Sequence, residues 1–128
     1  MIRALIVDDQ PRARRSLQAL LAATHWTESA CNERDDVLVE TIGEADDGQA
    51  AIDQVALLHP DVVIMDLHLA DLDVTTAIRM IKSRWPEVRI VVLTMYATGR
   101  AAALQAGADV FLLKGCSTGE LLAALIGV

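Results

Sequence analysis

Five polar groups stand directly after apolar runs, and their types suit phosphoryl chemistry. Asp8-Asp9 follow Ala4-Leu5-Ile6-Val7, Asp66 follows Val62-Val63-Ile64-Met65, Thr94 follows Ile90-Val91-Val92-Leu93, and Lys114 follows Val110-Phe111-Leu112-Leu113. One polar residue after one such run is only a strand leaving the core for water. Three carboxylates, one hydroxyl and one ammonium delivered the same way make a cluster. Gathered carboxylates raise one another's pKa, so a chain that keeps them usually supplies a cation. Oxygen donors with open positions suit Mg2+, which binds through one or two carboxylates and keeps waters for a phosphate to displace. A carboxylate can attack phosphorus, and phosphoryl transfer is mostly positioning plus neutralisation of charge on the phosphoryl oxygens. On that reading Mg2+, the Lys114 ammonium and the Thr94 hydroxyl each take one of those oxygens.

The elements that must position these groups are legible around them. The four runs are unbroken rather than alternating, the pattern of strands covered on both faces. A fifth, weaker strand fits near Leu38 to Glu44, at an edge. Helical stripes fill the gaps: Ala13, Leu17, Leu20 and Leu21 after Pro11; Ala51, Val55 and Leu58 before His59-Pro60; Ala77, Ile78, Ile81 and Trp85 before Pro86. A short Ala-rich helix is expected from about Gly99 to Ala106, with Gly107 beyond its end. The last helix opens on the capping box Ser117-Thr118-Gly119-Glu120. Five β-α repeats imply one α/β domain over 1–128, with a parallel sheet and helices on both faces. Thr24 to Asp36 is long and polar for a connection and reads as a surface insertion. In such folds chemistry lies beyond the carboxyl ends of the strands, which is where the five polar groups fall.

Composition narrows the function. The chain has 128 residues, 53% hydrophobic and 23% charged, which suits one globular core. Its net charge of −7 argues against direct nucleic-acid binding, which needs clustered Lys and Arg. Cys31 and Cys116 form no metal or redox motif, no signal peptide opens the chain, and no run reaches the ~20 apolar residues of a membrane span. A cytoplasmic protein is expected. His25 and His59 read as ordinary surface residues, Cys116 as a passive thiol, and Arg12, Arg14 and Arg15 as a solvated helix face. From Leu121 to Val128 the last helix carries no charge, which suggests a partner or dimer surface.

Leu5-Ile6-Val7-Asp8-Asp9, Pro60 to Leu67, Val91-Val92-Leu93-Thr94 and Ala106 to Lys114 together resemble the receiver domain of two-component response regulators, of the NarL/LuxR type. Gly43-Glu44-Ala45, and Pro11 shortly after the aspartate pair, fit that subgroup. The resemblance covers nearly the whole chain. It implies a flavodoxin-like (CheY-like) fold with strand order 2-1-3-4-5 and five helices. Asp66 resembles the phosphoacceptor, and Asp9 a direct Mg2+ ligand, with Asp8 acting through water or shaping the pocket. The backbone carbonyl of His68 would complete the metal site. Thr94 resembles the switch hydroxyl, Phe111 the switch aromatic, and Lys114 the ammonium beside the phosphoryl group. The implied donor is a sensor histidine kinase. The implied output is transcriptional, through a helix-turn-helix domain for which these residues leave no room. A homodimer through the fourth helix, fifth strand and fifth helix, or through the C-terminal helix surface, is the expected partner interaction.

The sequence also departs from the family. Leu69-Ala70 and Asp73-Val74 stand where Met-Pro and Asp-Gly are usual, and Val74 does not readily take φ > 0. Gly115 stands where many relatives have Pro. The stretch from Thr94 to Gly107 is about two residues short by comparison with that resemblance, and the 24–36 segment is extra. None of these removes a charged group. Two other readings remain: a small Mg2+-dependent phosphatase, which needs a second acid where His68 stands, and a degenerate receiver that only binds proteins.

Overall fold

The computed structural model describes residues 1–23, 26–27, 36–37, 39–68 and 73–127. Its parallel sheet has five strands: β1 (Ile2–Val7), β2 (Val39–Ala45), β3 (Val62–Met65), β4 (Arg89–Thr94) and β5 (Val110–Leu113). They lie in the order β2-β1-β3-β4-β5, so the chain folds outward from β1 on one side and then the other. The helices are α1 (Pro11–Ala23), α2 (Gly48–Leu58), α3 (Val74–Arg84), α4 (Arg100–Ala106) and α5 (Thr118–Ile126). The fold class and strand order expected from the sequence are those observed. Among the described residues no helix is long and apolar enough to cross a membrane.

Unbroken apolar strands bury both faces, and the two cores show why. Leu5, Val7, Val63, Met65, Ile90 and Val92 point to the side covered by α2, α3 and α4, where Ile52, Val55, Ala77, Ile78, Ile81 and Ala103 meet them. Ala4, Ile6, Val62, Ile64, Val91 and Leu93 point to the other side, against Leu21 of α1 and Leu121, Leu122, Ala124 and Leu125 of α5. The uncharged C-terminal run is therefore mainly the core face of α5. This corrects the expectation that its apolarity marks an exposed partner surface.

Local signals set the helix ends. Asp47 caps α2 by accepting from Ala50 N at 2.7 Å, and Ser117 caps α5 by accepting from Glu120 N at 3.0 Å. His59 ends α2 in the left-handed region at φ 47°, its N–H donating to Val55 O. Pro60 follows and cannot continue the helix. Asp73 accepts from the Thr75 N–H at 3.1 Å and hydroxyl at 2.9 Å, so Val74 is simply the first, buried residue of α3. No positive φ occurs there, and the expected conflict at Val74 does not arise. Gly99 precedes α4 at φ 90° and Gly107 ends it at φ 120°, so the helix is one residue shorter than expected.

Two expectations at the β2 edge need adjusting. The strand begins at Val39, with Leu38 outside the described residues. In the 24–36 insertion, a two-residue antiparallel ladder pairs Trp26–Thr27 with Asp36–Val37; His25 and Cys31 lie outside the described residues. The β1–β2 register shifts between Ala4 and Leu5, which face Thr41 and Gly43 respectively. Gly43 lies under α2, where a Cβ would come within 2.6 Å of Leu58 Cδ1.

Because Ile78 is fully buried where α3 meets the sheet, Ile78→Ala should cost about 2–5 kcal/mol in urea unfolding, with the fold retained. A change below ~1 kcal/mol would mean the α3 packing is not as described.

Candidate functional site

Backbone pairing continues one residue past three strand ends and sets the site. Asp8 N donates to Ala45 O at 3.1 Å, Asp66 N to Val7 O at 3.0 Å, and Lys114 N to Thr94 O at 2.7 Å. The register pairs Val7 with Met65, Met65 with Val92, and Thr94 with Leu113. Residues 8, 66, 94 and 114 thus leave the sheet along one carboxyl edge.

Their side chains meet there. Lys114 Nζ donates to Asp8 Oδ2 at 3.0 Å and to Asp66 Oδ2 at 2.8 Å. Both carboxylates are nearly buried, at 5% and 8% exposure. Their other oxygens are also held: Asp8 Oδ1 accepts from Gln10 N at 2.9 Å, and Asp66 Oδ1 accepts from His68 N at 2.9 Å. Burial alone would push the Asp66 carboxyl up; the Lys114 hydrogen bond and charge and the His68 N–H together outweigh it and leave it below the usual carboxylate value. Burial likewise pushes the Lys114 ammonium down, but Asp66 and Asp8 outweigh it and raise it above the usual lysine value.

Thr94 is fully buried, and among the described residues its Oγ1 finds no hydrogen-bond partner. Leaving a buried hydroxyl unsatisfied costs about 1–3 kcal/mol, so an acceptor arriving at this edge would find a donor already short of one. Phe111 is half-buried and packs against the core beneath α2, α3 and α4. Asp9 and His68 are exposed, and the His68 ring meets Tyr96 edge-on with centroids 5.8 Å apart. Residues 69–72, which carry part of the altered loop, lie outside the described residues.

Two carboxylates share a single ammonium, which leaves negative charge and free lone pairs for a hard cation. Among the described residues no three Asp, Glu, His or Cys side chains converge as a metal cage. The donor set that does converge, Asp8 and Asp66, matches the small number of carboxylates Mg2+ takes while keeping its waters. Asp9 is exposed, and the carboxylates that Lys114 contacts among the described residues are Asp8 and Asp66.

Sequence reasoning missed one supporting residue. Arg14 was grouped with Arg12 and Arg15 as a solvated face, yet it is part-buried. Its guanidinium donates to the Asp8 backbone carbonyl at 2.6 Å and to Glu44 at 3.0 Å. Its position one turn into α1, directly after the Asp-Asp pair, was the available signal.

The doubly wound sheet and its acid–lysine edge define a receiver-type α/β domain. Residues 4–126 match the family model described as the response regulator receiver domain, and the chain belongs to that family. Relatives include the response regulator protein VraR of Staphylococcus saprophyticus, 29% identical over 97% of this chain and 54% of that protein. The signal receiver domain of a NarL response regulator from Mycobacterium tuberculosis superimposes with a TM-score of 0.80 at 26% identity, covering 98% of this chain and 94% of that one. The isolated receiver domain of RcsB from Salmonella enterica, solved with the phosphomimetic BeF3-, gives 0.77 at 27%, covering 98% and 86%. These relatives are response regulators of the LuxR/NarL group. The chain spans about half the length of the curated VraR proteins it matches.

Lys114→Met leaves two nearly buried carboxylates without their shared cation, so the apparent pKa of Asp66 should rise, as read by carboxyl 13C NMR. In the parent protein the depressed Asp66 pKa contributes stability above the unfolded-state carboxylate pKa, lost as pH falls through the folded value. The raised Lys114 pKa contributes fully below the unfolded-state lysine value and is lost as pH rises through the folded one. An unchanged Asp66 titration in the variant would show that the ion pair does not form in solution.

Proposed function

We propose that this domain accepts a phosphoryl group on Asp66 from a sensor histidine kinase and passes the change to an output function outside the chain. The observation that carries the reading is the Lys114 ammonium held between Asp8 and Asp66, with the unpartnered Thr94 hydroxyl on the same strand edge. An Asp66 carboxylate oxygen attacks the phosphorus of the donor phosphohistidine, the P–N bond breaks, and the imidazole leaves with the electron pair. Lys114 neutralises one phosphoryl oxygen. The Thr94 hydroxyl donates to another, gaining the partner it lacks, and Phe111 repacks in the space this opens. Mg2+, when bound, would supply charge neutralisation at the phosphoryl oxygens; Asp8 and Asp66 would hold it, with the exposed Asp9 and the backbone carbonyl of His68 as the further donors that the family resemblance implies.

Such a change biases two packings of the face formed by α4, β5 and α5. Met95, Tyr96 and Leu113 are exposed large apolar residues in this region, and a homodimer through this face fits them better than one through the mostly core-facing α5. RcsB from Salmonella enterica has been solved bound to a promoter with the phosphomimetic present; by analogy the output here is transcriptional control in the cytoplasm, through a domain beyond these residues. DNA contact by this acidic chain itself is not part of the reading.

Incubation with acetyl phosphate and Mg2+, followed by mass spectrometry, should give one phosphoryl adduct. Asp66→Asn should abolish it, and sedimentation of the modified protein should show a dimer. No adduct would favour a module that only binds proteins, and continuous release of phosphate a phosphatase. A monomer in both states would remove the dimer.

The exposed His68–Tyr96 ring pair, next to Asp66 through the His68 N–H, is expected to limit the approach of water to the acyl phosphate. His68→Ala and Tyr96→Ala should each change the lifetime of the Asp66 adduct by roughly two- to tenfold, or up to about 1.4 kcal/mol of barrier. Lifetimes equal to the parent's would refute the gating role.

A further inference from the structure

A cavity of about 250 Å³ runs from the Asp8–Lys114–Asp66 cluster down between α1 and α5, on the sheet face opposite α2, α3 and α4. Its body is apolar, walled by Leu17 and Leu20 of α1, Ile64 and Leu93 of the sheet, and Leu121 of α5. Its floor toward the strand ends is Asp8, Asp66 and Lys114. The turn after β5 leaves it open: Gly115 also lines it, and a Cβ built there would meet nothing within 4 Å. An apolar cavity of ~150 Å³ already takes a benzene ring, so this one has room for a ring with a short arm.

The charged end selects the arm. Two carboxylates face one ammonium, and each carboxylate oxygen keeps a further lone pair. Arg14, the nearby guanidinium, is paired with Glu44. A monocation fits this excess of negative charge. From this complementarity we infer that the α1–α5 cavity is a binding site for a small arylalkyl ammonium ligand, its ring among Leu17, Leu20, Ile64 and Leu121 and its charge against Asp8. The site shares Asp8, Asp66 and Lys114 with the phosphoryl edge and extends from it between α1 and α5, while Thr94, Asp9 and His68 do not line it. Because its occupant abuts Lys114, binding slows phosphoryl uptake. That last consequence, unlike the binding itself, rests on the proposed role of Asp66.

The test uses phenethylamine and its uncharged isostere phenethyl alcohol, titrated into 15N-labelled protein. The amine should bind with a dissociation constant of about 1 mM, as its few heavy atoms allow. Its shifts should centre on residues 13–20 and 114–121, and the alcohol should bind about tenfold more weakly. Ser16→Phe and Leu17→Trp, from the α1 wall, should each fill the cavity and abolish both. Asp8→Asn should remove the difference between the probes. Equal binding of the two probes, shifts centred elsewhere, or undiminished binding in a folded filling variant would overturn the site. In a separate arm, saturating amine should slow adduct formation from acetyl phosphate at least threefold; an unchanged rate would overturn the inhibitory consequence. Absence of any adduct without amine would count against Asp66 as acceptor while leaving the binding result standing.

Discussion

The carboxyl edge of this sheet depends on one ammonium group. Without Lys114, Asp8 and Asp66 are two nearly buried carboxylates pointing at each other from adjacent strands, each of which would resist ionisation. With it, both are fixed by four hydrogen bonds, two from Nζ and one each from the backbone N–H groups of Gln10 and His68. The arrangement is pre-formed: the Asp66 carboxyl is held below the usual carboxylate value and oriented by Lys114 and the His68 N–H. It is also charge-unbalanced by design of the residue types, since one cation serves two anions. That imbalance underlies both the proposed divalent-ion site at this edge and the proposed organic-cation site in the α1–α5 cavity.

The rest of the fold can be understood as what holds that edge in register. A parallel sheet buried on both faces cannot slip by one residue without exchanging the contents of its two cores. Ile6 and Ile64 share one core, Val7 and Met65 the other. A slip at β1 would therefore bury the wrong side chains and also move Asp8 away from Asp66. Packing energy distributed over the apolar strands thus fixes where a few polar atoms fall, and Arg14 adds a direct tie from α1 to the backbone at Asp8.

Much of this was legible in the sequence because strong local patterns and the tertiary structure agree. Apolar runs ending in Asp, Thr and Lys gave the strands and the site edge; Pro11, His59-Pro60, Ser117 and Gly107 gave helix boundaries within a residue or so. The failures share a cause, which is that one-dimensional pattern does not say what lies opposite. The uncharged α5 looked like an exposed surface because the depth of the core it fills is a tertiary property. Arg14 looked solvated because its partners, the Asp8 carbonyl and Glu44, are fixed only when α1 lies against β2. Val74 looked strained by comparison with a glycine, whereas the Asp73 cap starts the helix at that residue and makes φ negative. The unpartnered state of Thr94 could not be read at all, since it depends on what every neighbour fails to offer.

The opposite rim of the sheet is tied very differently. Arg3 donates to the carbonyls of Leu58 and His59, and Asp61 accepts from the Arg3 N–H. Lys82 reaches Val88 O and Asp109, Asp109 also accepts from Ile90 N, and Arg89 reaches Ala124 O at the end of α5. These contacts cross-brace the beginnings of four strands and the tail of the last helix. At the carboxyl rim the side-chain ties are fewer, Lys114 between Asp8 and Asp66 and Arg14 to Asp8 and Glu44. Loosening the Lys114 clasp would therefore free strand tips at one rim while the braces at the other stayed in place.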